Sequence, residues 1–434
     1  MSSEWKSFAS LLSAIVDNRG KTCPVGENGI PLIATNCIDN SSLYPLYDTT
    51  RFVSDETFNT WFRDHPLPGD ILFVCKGSPG RTNLVPDPVD FCIAQDMVAV
   101  RADPEKVYPK YLFAVLRSPI VQSKIENMHV GTMIPHFKKG DFDKLFIPVP
   151  SREVQRAIGD FYFTISDRIA LLRETNATLE SIAQAIFKSW FIDFDPVKAR
   201  QQGLEPQGMD AATAALFPDA FQDSELGPIP ARWDIAKLED VYDINPSRKL
   251  KKGEIAPYLG MSSVPTSGHS VGEVIDREMA SGTKFINGDT LLARITPCLE
   301  NGKTAYVDFL DDEQVGWGST EFIVLRPKAP FASYHAYLLC RDSSFRTFAI
   351  QSMSGTSGRQ RVQNDVLGSY RLVLPSEEIL TAFSDVIEPI KMAMTSNHKR
   401  SQTLASIRDA LLPRLISGRL RLPEAEAMAV EAGL

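Results

Sequence analysis

Short strand-like apolar runs alternate with long helical stripes in this chain, and the whole alternation occurs twice. From 151 to 190 the apolar residues fall at Val154, Ile158, Phe161, Ile165, Ile169, Leu172, Leu179, Ile182, Ile186 and Trp190, in steps of three and four with one of seven. That spacing predicts one long helix packing on another helix. Ser151, after Pro150, is a suitable N-cap, and Glu153 places negative charge in the first turn. A second stripe follows at Ile379, Phe383, Ile387, Ile390, Met394, Leu404, Ile407 and Leu411, with Ser376 as its cap. Pro389 interrupts this helix and should kink it. A helix of ~40 residues spans ~60 Å, and two such stripes are most economically buried against each other. Ahead of each helix the pattern is mixed. Ile71-Leu72-Phe73-Val74 and Met97-Val98-Ala99-Val100 read as strands in the first half, Thr290-Leu291-Leu292-Ala293 and Phe322-Ile323-Val324-Leu325 in the second. Turn signals at Pro68-Gly69-Asp70 and Ser78-Pro79-Gly80 break the first set. Shorter helices are predicted from 109 to about 127, with Tyr111 and Val115 inward, and from 334 to about 352.

The recurrence is literal in places. Thr178-Leu179-Glu180-Ser181-Ile182 returns as Thr403-Leu404-Ala405-Ser406-Ile407, and Pro150-Ser151-Arg152-Glu153 as Pro375-Ser376-Glu377-Glu378, both 225 residues later. Gly131-Thr132 matches Gly355-Thr356 at 224, and Gly69-Asp70-Ile71-Leu72 matches Gly288-Asp289-Thr290-Leu291 at 219. Trp5 and Trp233 open the two copies. Such small drift means one duplicated unit, too long to be a solenoid repeat. The expected fold is α+β: two mixed globular domains joined by two long antiparallel helices in a pseudo-twofold arrangement. The boundaries read as a first domain at 1–150, a helix at 151–192, a linker at 193–230, a second domain at 231–375, a second helix at 376–420 and a tail at 421–434. The linker is rich in Gly, Pro, Gln and Ala, with a helical island near 211–216.

Composition adds little to fold but much to partners. At 43% hydrophobic and 23% charged residues the chain is ordinary globular protein. Its apolar runs are far short of a membrane span, and its first residues lack signal-peptide architecture, so a cytoplasmic location is expected. The six cysteines, with no CxxC spacing, read as reduced thiols. A net charge of −8 argues against a protein coated in basic residues. Local basic clusters still exist at Arg248-Lys249-Leu250-Lys251-Lys252, Lys138-Lys139 and Arg359-Gln360-Arg361, each by itself compatible with a plain solvated face.

Catalytic chemistry is not legible. There is no GxGxxG, no GxxxxGK[ST] phosphate loop, no HExxH, no GxSxG elbow, and no Asn/Asp-Pro-Pro-aromatic tetrapeptide of amino-methyltransferases. The six histidines are dispersed, with no pair at metal-ligand spacing. The chain reads as a binding scaffold that holds no metal and no cofactor of its own.

In order and duplication, these features resemble the specificity subunit of Type I restriction–modification systems. The likeness rests on Phe146-Ile147-Pro148-Val149-Pro150 with Glu153, and Tyr370-Arg371-Leu372-Val373-Leu374-Pro375 with Glu378, each leading into a long helix. Phe187-Lys188-Ser189-Trp190-Phe191-Ile192-Asp193-Phe194 and Leu412-Pro413-Arg414-Leu415-Ile416-Ser417-Gly418 resemble the family's helix ends. The resemblance implies two target recognition domains, each reading half of a bipartite, gapped DNA sequence. It implies helices that set the gap and dock modification subunits, two per chain. S-adenosylmethionine and adenine-N6 methylation would belong to those partners, and a restriction subunit would join them.

DNA contacts are expected from Lys, Arg, Asn, Gln, hydroxyls and loop amides. In the first domain the candidates are Lys76, Ser78, Arg81, Thr132, His136, Lys138 and Lys139. In the second they are Arg294, Lys303, Thr356, Arg359, Gln360 and Arg361, the last three the strongest. Phe161 and Trp190 are read as seam residues, not base-stacking platforms. Two other readings stand beside this one: a non-DNA protein adaptor built on a helix pair, and an enzyme with an unrecognised site.

Overall fold

A computed structural model describes residues 4–18, 21–47, 51–128, 135–356 and 358–434. The chain divides into two compact units. One takes the chain up to Arg173 and again from Lys399 onward; the other is Glu174–His398.

In the first unit β1 (Glu4–Ser7) pairs antiparallel with β9 (Phe146–Val149). Strands β2 (Leu12–Asp17), β8 (Met97–Ala102), β5 (Ile71–Val74) and β6 (Thr82–Leu84) form an antiparallel sheet in the order β2-β8-β5-β6. A smaller sheet, β4-β3-β7, joins β4 (Phe52–Val53), β3 (Ile30–Ile33) and β7 (Cys92–Ile93), with β3 and β7 parallel. Helices α1 (Asp55–Thr60), α2 (Pro109–Leu116) and α3 (Pro119–Met128) complete it. Strand β5 is buried on both faces, so its apolar residues are consecutive instead of alternating. Ile71 and Phe73 enter a core with α2 and the long helices, while Leu72 and Val74 enter a second core with Val16, Ile33 and Phe91.

The second unit repeats this topology. The short pair is β12 (Asp234–Lys237) with β21 (Arg371–Leu374). The sheet order is β13-β20-β17-β18, from β13 (Tyr242–Ile244), β20 (Phe322–Pro327), β17 (Thr290–Ala293) and β18 (Thr304–Tyr306). The second sheet, β15-β14-β19-β16, is built from β14 (Ile255–Leu259), β15 (Val274–Glu278), β16 (Thr283–Phe285) and β19 (Gly316–Gly318), and β14 runs parallel to β19 as β3 does to β7. Helices α7 (Leu238–Val241), α8 (His335–Arg341), α9 (Ser343–Gln351) and α10 (Asn364–Gly368) belong here. Each expected short helix is thus two helices. Pro119 disfavours helical geometry at Ser118. Asp342 is extended and accepts from Ser344 N and Phe345 N, restarting the chain as α9.

The long helices are α4 (Arg152–Phe191) and α11 (Glu377–Ile416), the latter continuous through Pro389. Each unit contains half of both. In the first, Ile158, Phe161, Ile165, Ile169 and Leu172 share a core with Leu404, Leu411, Leu412 and Leu415, with Val154 and Ile407 half-buried at its edge. In the second, Ala183, Phe187, Trp190 and Phe191 share one with Ile379, Phe383, Ile387 and Met394, and Leu179, Ile186 and Ile390 pack against it. There the helices run antiparallel: the Phe191 and Phe383 rings are 4.7 Å apart, and Asn176 donates to Met394 O at 2.9 Å.

Three expectations need correction. Ile182 is 44% exposed, because the buried face passes through Glu180, Ala183 and Phe187 instead. The 193–230 segment is more than a linker: α5 (Asp195–Gln201), α6 (Ala211–Leu216) and the pair β10 (Phe221–Gln222) with β11 (Ile229–Pro230) lie in it, and Val197 and Phe217 are buried in the second unit's core. The 421–434 tail holds α12 (Leu422–Glu431), whose Ala425 and Ala429 are fully buried in the first.

The Gly-Asp motif proves architectural. Gly69 and Gly288 take φ of 83° and 88°, a region open to glycine. Asp70 accepts from Leu67 N at 2.8 Å and from Arg101 Nε and Nη2, both at 2.8 Å. Asp289 repeats both contacts, with Ile286 N at 2.9 Å and Arg326 Nη1 at 2.6 Å. Asp70→Ala strands Leu67 N–H and Arg101 without their acceptor; with Arg101 partly solvated, a loss of about 2–3 kcal/mol is expected in denaturant unfolding. A loss below about 0.5 kcal/mol would make the pair ornamental.

Candidate nucleic-acid interface

Strands β5 and β17 each run off their sheet into a loop, and each loop is met by the segment leading to the unit's last strand. In the first unit Phe137 N donates to Cys75 O at 2.8 Å and Gly77 N to Pro135 O at 3.0 Å, bridging Lys76 and His136. In the second, Val362 N donates to Arg294 O and Thr296 N to Gln360 O, both at 3.0 Å, bridging Ile295 and Arg361. The partners correspond at separations of 219 for the first loop and 225 for the second, the offsets of the flanking motifs. One backbone-joined loop pair has therefore been duplicated. Phe137 and Val362, both fully buried, anchor it. Backbone bonds leave side chains free to vary, as Lys76 against Ile295 and His136 against Arg361 illustrate.

The expected contact residues separate into outward and inward groups. Lys76, Arg81 and Lys138 are exposed beside the first pair, with Ser78 and His136 half-buried. Lys139 is tied to Asp17 at 2.6 Å. Thr132 lies outside the described residues. In the second unit Thr356 and Arg359 are exposed and Gln360 is half-buried. Arg361 instead grips Glu321 through Nε at 2.9 Å and Nη2 at 2.7 Å, and Arg294 reaches the same carboxylate at 3.5 Å. Lys303 donates to Met261 O at 2.6 Å. Arg294 and Arg361 thus hold the base of the loop pair, Lys303 is tied to the segment at Met261, and Arg359 is the guanidinium presented outward. In the other basic cluster of this unit, Arg248 is drawn inward to Asp289 at 3.1 Å, whereas Lys249, Lys251 and Lys252 are exposed. Among the described residues no group of His, Cys, Asp and Glu is placed to hold a metal ion.

Over residues 23–181 the chain matches the family described as the Type I restriction modification DNA specificity domain. It is 24% identical to the specificity subunit of the Type I restriction enzyme MjaIX of Methanocaldococcus jannaschii, over 73% of this chain and 70% of that one. The HindI specificity subunit of Haemophilus influenzae is 25% identical, with 81% and 86% covered. The chain is thus similar to Type I specificity subunits. The crystal structure of an S subunit from M. genitalium shares the fold, covering 96% of both chains at a TM-score of 0.54 and 16% identity.

Two kinds of residue escape a reading of basic clusters. The first are counter-ions: Asp17 and Glu321 decide which basic groups stay available, and neither lies in a motif. The second are Arg117 and Arg341, 224 residues apart at the ends of α2 and α8. Arg117 donates to Asn40 O, Ser42 O and Thr82 O, and Arg341 to Thr266 O, Gly268 O and Thr304 O, clamping equivalent loops to equivalent edge strands. The repeat offset was the signal that could have found them.

The Arg361 hydrogen bonds, followed by the charges of Arg361 and Arg294, hold the Glu321 carboxyl below its ordinary value. A carboxyl depressed in the fold contributes stability above its unfolded pKa and loses it as pH falls through the folded one. Protection of the 294–303 loop against hydrogen exchange should therefore weaken as pH drops below about 4.5. Glu321→Gln should flatten that dependence; an unchanged profile would remove Glu321 as the anchor.

Proposed function

We propose that this chain is the non-catalytic DNA-recognition subunit of a Type I restriction–modification complex, and that its two units each read one half of a gapped target. The observation that carries this is the duplicated loop pair: the same backbone frame, dressed with different side chains, in a chain similar to Type I specificity subunits. Exposed Lys76, Arg81 and Lys138 in the first unit, and Thr356, Arg359 and Gln360 in the second, supply the types that contact phosphates and base edges. Because the sets differ, the half-sites differ. A pseudo-twofold reader addresses opposite strands, so one adenine on each strand is offered for N6 methylation.

The methyl donor, S-adenosylmethionine, belongs in this reading to modification subunits that dock on the long helices, two per chain; a translocating restriction subunit joins that core. The complex works in the cytoplasm, where chromosomal DNA lies, and among the described residues no helix is long and apolar enough to cross a membrane.

Coexpression with an adenine methyltransferase subunit of a Type I system that co-purifies with this chain, followed by mapping of methylated adenines across a genome, should yield one asymmetric gapped motif methylated once per strand. A continuous motif, or none, would sink the proposal. With a net charge of −8 the chain alone should bind DNA weakly, affinity rising when partner subunits add phosphate contacts. In the assembled complex Arg359→Ala should weaken target binding roughly tenfold while leaving thermal stability unchanged. Equal binding by the variant would exclude Arg359 from the interface.

A further inference from the structure

Against the first unit's share of the helix pair lies a cavity of about 410 Å³, lined by Asn40, Arg117, Tyr162, Arg173, Ala405 and Arg408 among others. Its charge is unbalanced. Arg408 is 6% exposed, Arg117 is half-buried and Arg173 stands at the exposed rim. Two carboxylates are near. Asp409 takes Arg408 Nε at 2.8 Å but is itself 63% exposed, and Asp39 accepts from Ser41 N at 2.6 Å. Arg117 gives its N–H groups to neutral acceptors only: Thr82 Oγ1 and O, Asn40 O, Ser42 O and the Tyr162 hydroxyl. Carbonyl dipoles solvate that charge without cancelling it. Burial, and after it the nearby charge of Arg408, pulls Arg117 and Arg173 down from the ordinary arginine value. Arg408 uses its Nη1 on Ser166 at 3.4 Å, and Arg173 one Nη1 on Ser41 O at 2.8 Å, so both keep further N–H donors.

The second copy is an internal control. In the repeat, Ala405 corresponds to Glu180. Glu180 is buried and accepts from the Tyr337 hydroxyl at 2.5 Å; that hydroxyl accepts from Arg341 Nε at 3.1 Å, and Arg341 is the counterpart of Arg117. At the positions equivalent to Arg173 and Arg408 stand His398 and Ala183. The second unit therefore sets one half-buried arginine against one buried carboxylate, with the Tyr337 hydroxyl between them. The first has lost that carboxylate and gained two arginines, although both copies pack the same helices.

We propose that the first unit's cavity is a binding site for a phosphate group, held by Arg408, Arg173 and the Tyr162 hydroxyl within the field of Arg117. Forked guanidiniums suit a dianionic oxyanion, to which they offer paired N–H groups. The cavity exceeds one phosphate in size, leaving room for a small molecule that carries it. None of the lining residues belongs to the duplicated loop pair, and the site does not depend on the DNA-reading role of that pair.

Thermal unfolding of the full chain tests this. Inorganic phosphate at ten times its Kd should raise Tm by about 2 °C over chloride at equal ionic strength. Ala405→Glu, which restores the carboxylate of the second copy, should abolish the rise while leaving Tm without phosphate equal or higher. Arg408→Gln should abolish it too. No phosphate-specific rise, or an undiminished one in Ala405→Glu, overturns the proposal. Isothermal titration with phosphate and adenosine triphosphate, in the presence and absence of duplex DNA, identifies the source. Bound phosphate that persists beside DNA indicates a free small molecule; phosphate displaced by DNA indicates the DNA backbone.

Discussion

A long amphipathic helix must bury its apolar stripe along its whole length, and this constraint shapes both halves of the molecule. Neither core closes on local sequence. The first unit's core takes Leu404, Leu411 and Leu415 from a helix that begins more than two hundred residues after β5, together with Ala425 and Ala429 from the chain's last helix. The second takes Phe187, Trp190 and Phe191 from the end of α4, and they meet Phe383 near the start of α11. Each unit thus owns the entry of one long helix and the exit of the other. A sheet-rich unit expressed without its distant helical half would expose an apolar face, so the duplication is a single folding problem solved twice.

The same constraint explains what could be read from sequence. Periodicity is strong where burial is one-sided and continuous, so the helices, their starting points and the central strands were legible, as was the repeat. Ile182 was misplaced because a period read from apolar letters alone skips polar residues that are buried with partners; Glu180, engaged by Tyr337, carries the seam past it. The 421–434 segment looked like a tail because alanine-rich, acidic helices carry little apolar signal, yet Ala425 and Ala429 are small enough for close packing. In the candidate interface, position was legible and availability was not. Arg359 and Arg361 are two residues apart and chemically identical, and only Glu321, forty residues earlier in the chain, separates their roles.

Charge follows from the same logic. An acidic total speaks to the whole surface and not to one face of it, and several charges of both signs are spent internally: Asp70 with Arg101, Asp289 with Arg248 and Arg326, Glu321 with Arg361. These pairs fix loop bases and contribute little field at the surface. What a ligand meets is local: the exposed Lys76, Arg81, Lys138 and Arg359 at the loop tips, whatever the sign of the total. Specific contacts with a weak non-specific background are what a reader needs if other subunits supply the general affinity.

Duplication also separates what must persist from what can change. The bonds joining the two loops are made by backbone groups, so substitutions along them leave the frame standing while the exposed chemistry shifts from Lys76 to Ile295, or from His136 to Arg361. The Asp–Arg pairs persist because a buried aspartate without its arginine is costly, whereas an exposed lysine can be lost at little cost to the fold. Where both copies keep a polar contact, stability is the sufficient explanation. Where one copy departs, as at Ala405 and Glu180, stability does not explain the difference, and a ligand that one copy meets and the other does not is the simpler account.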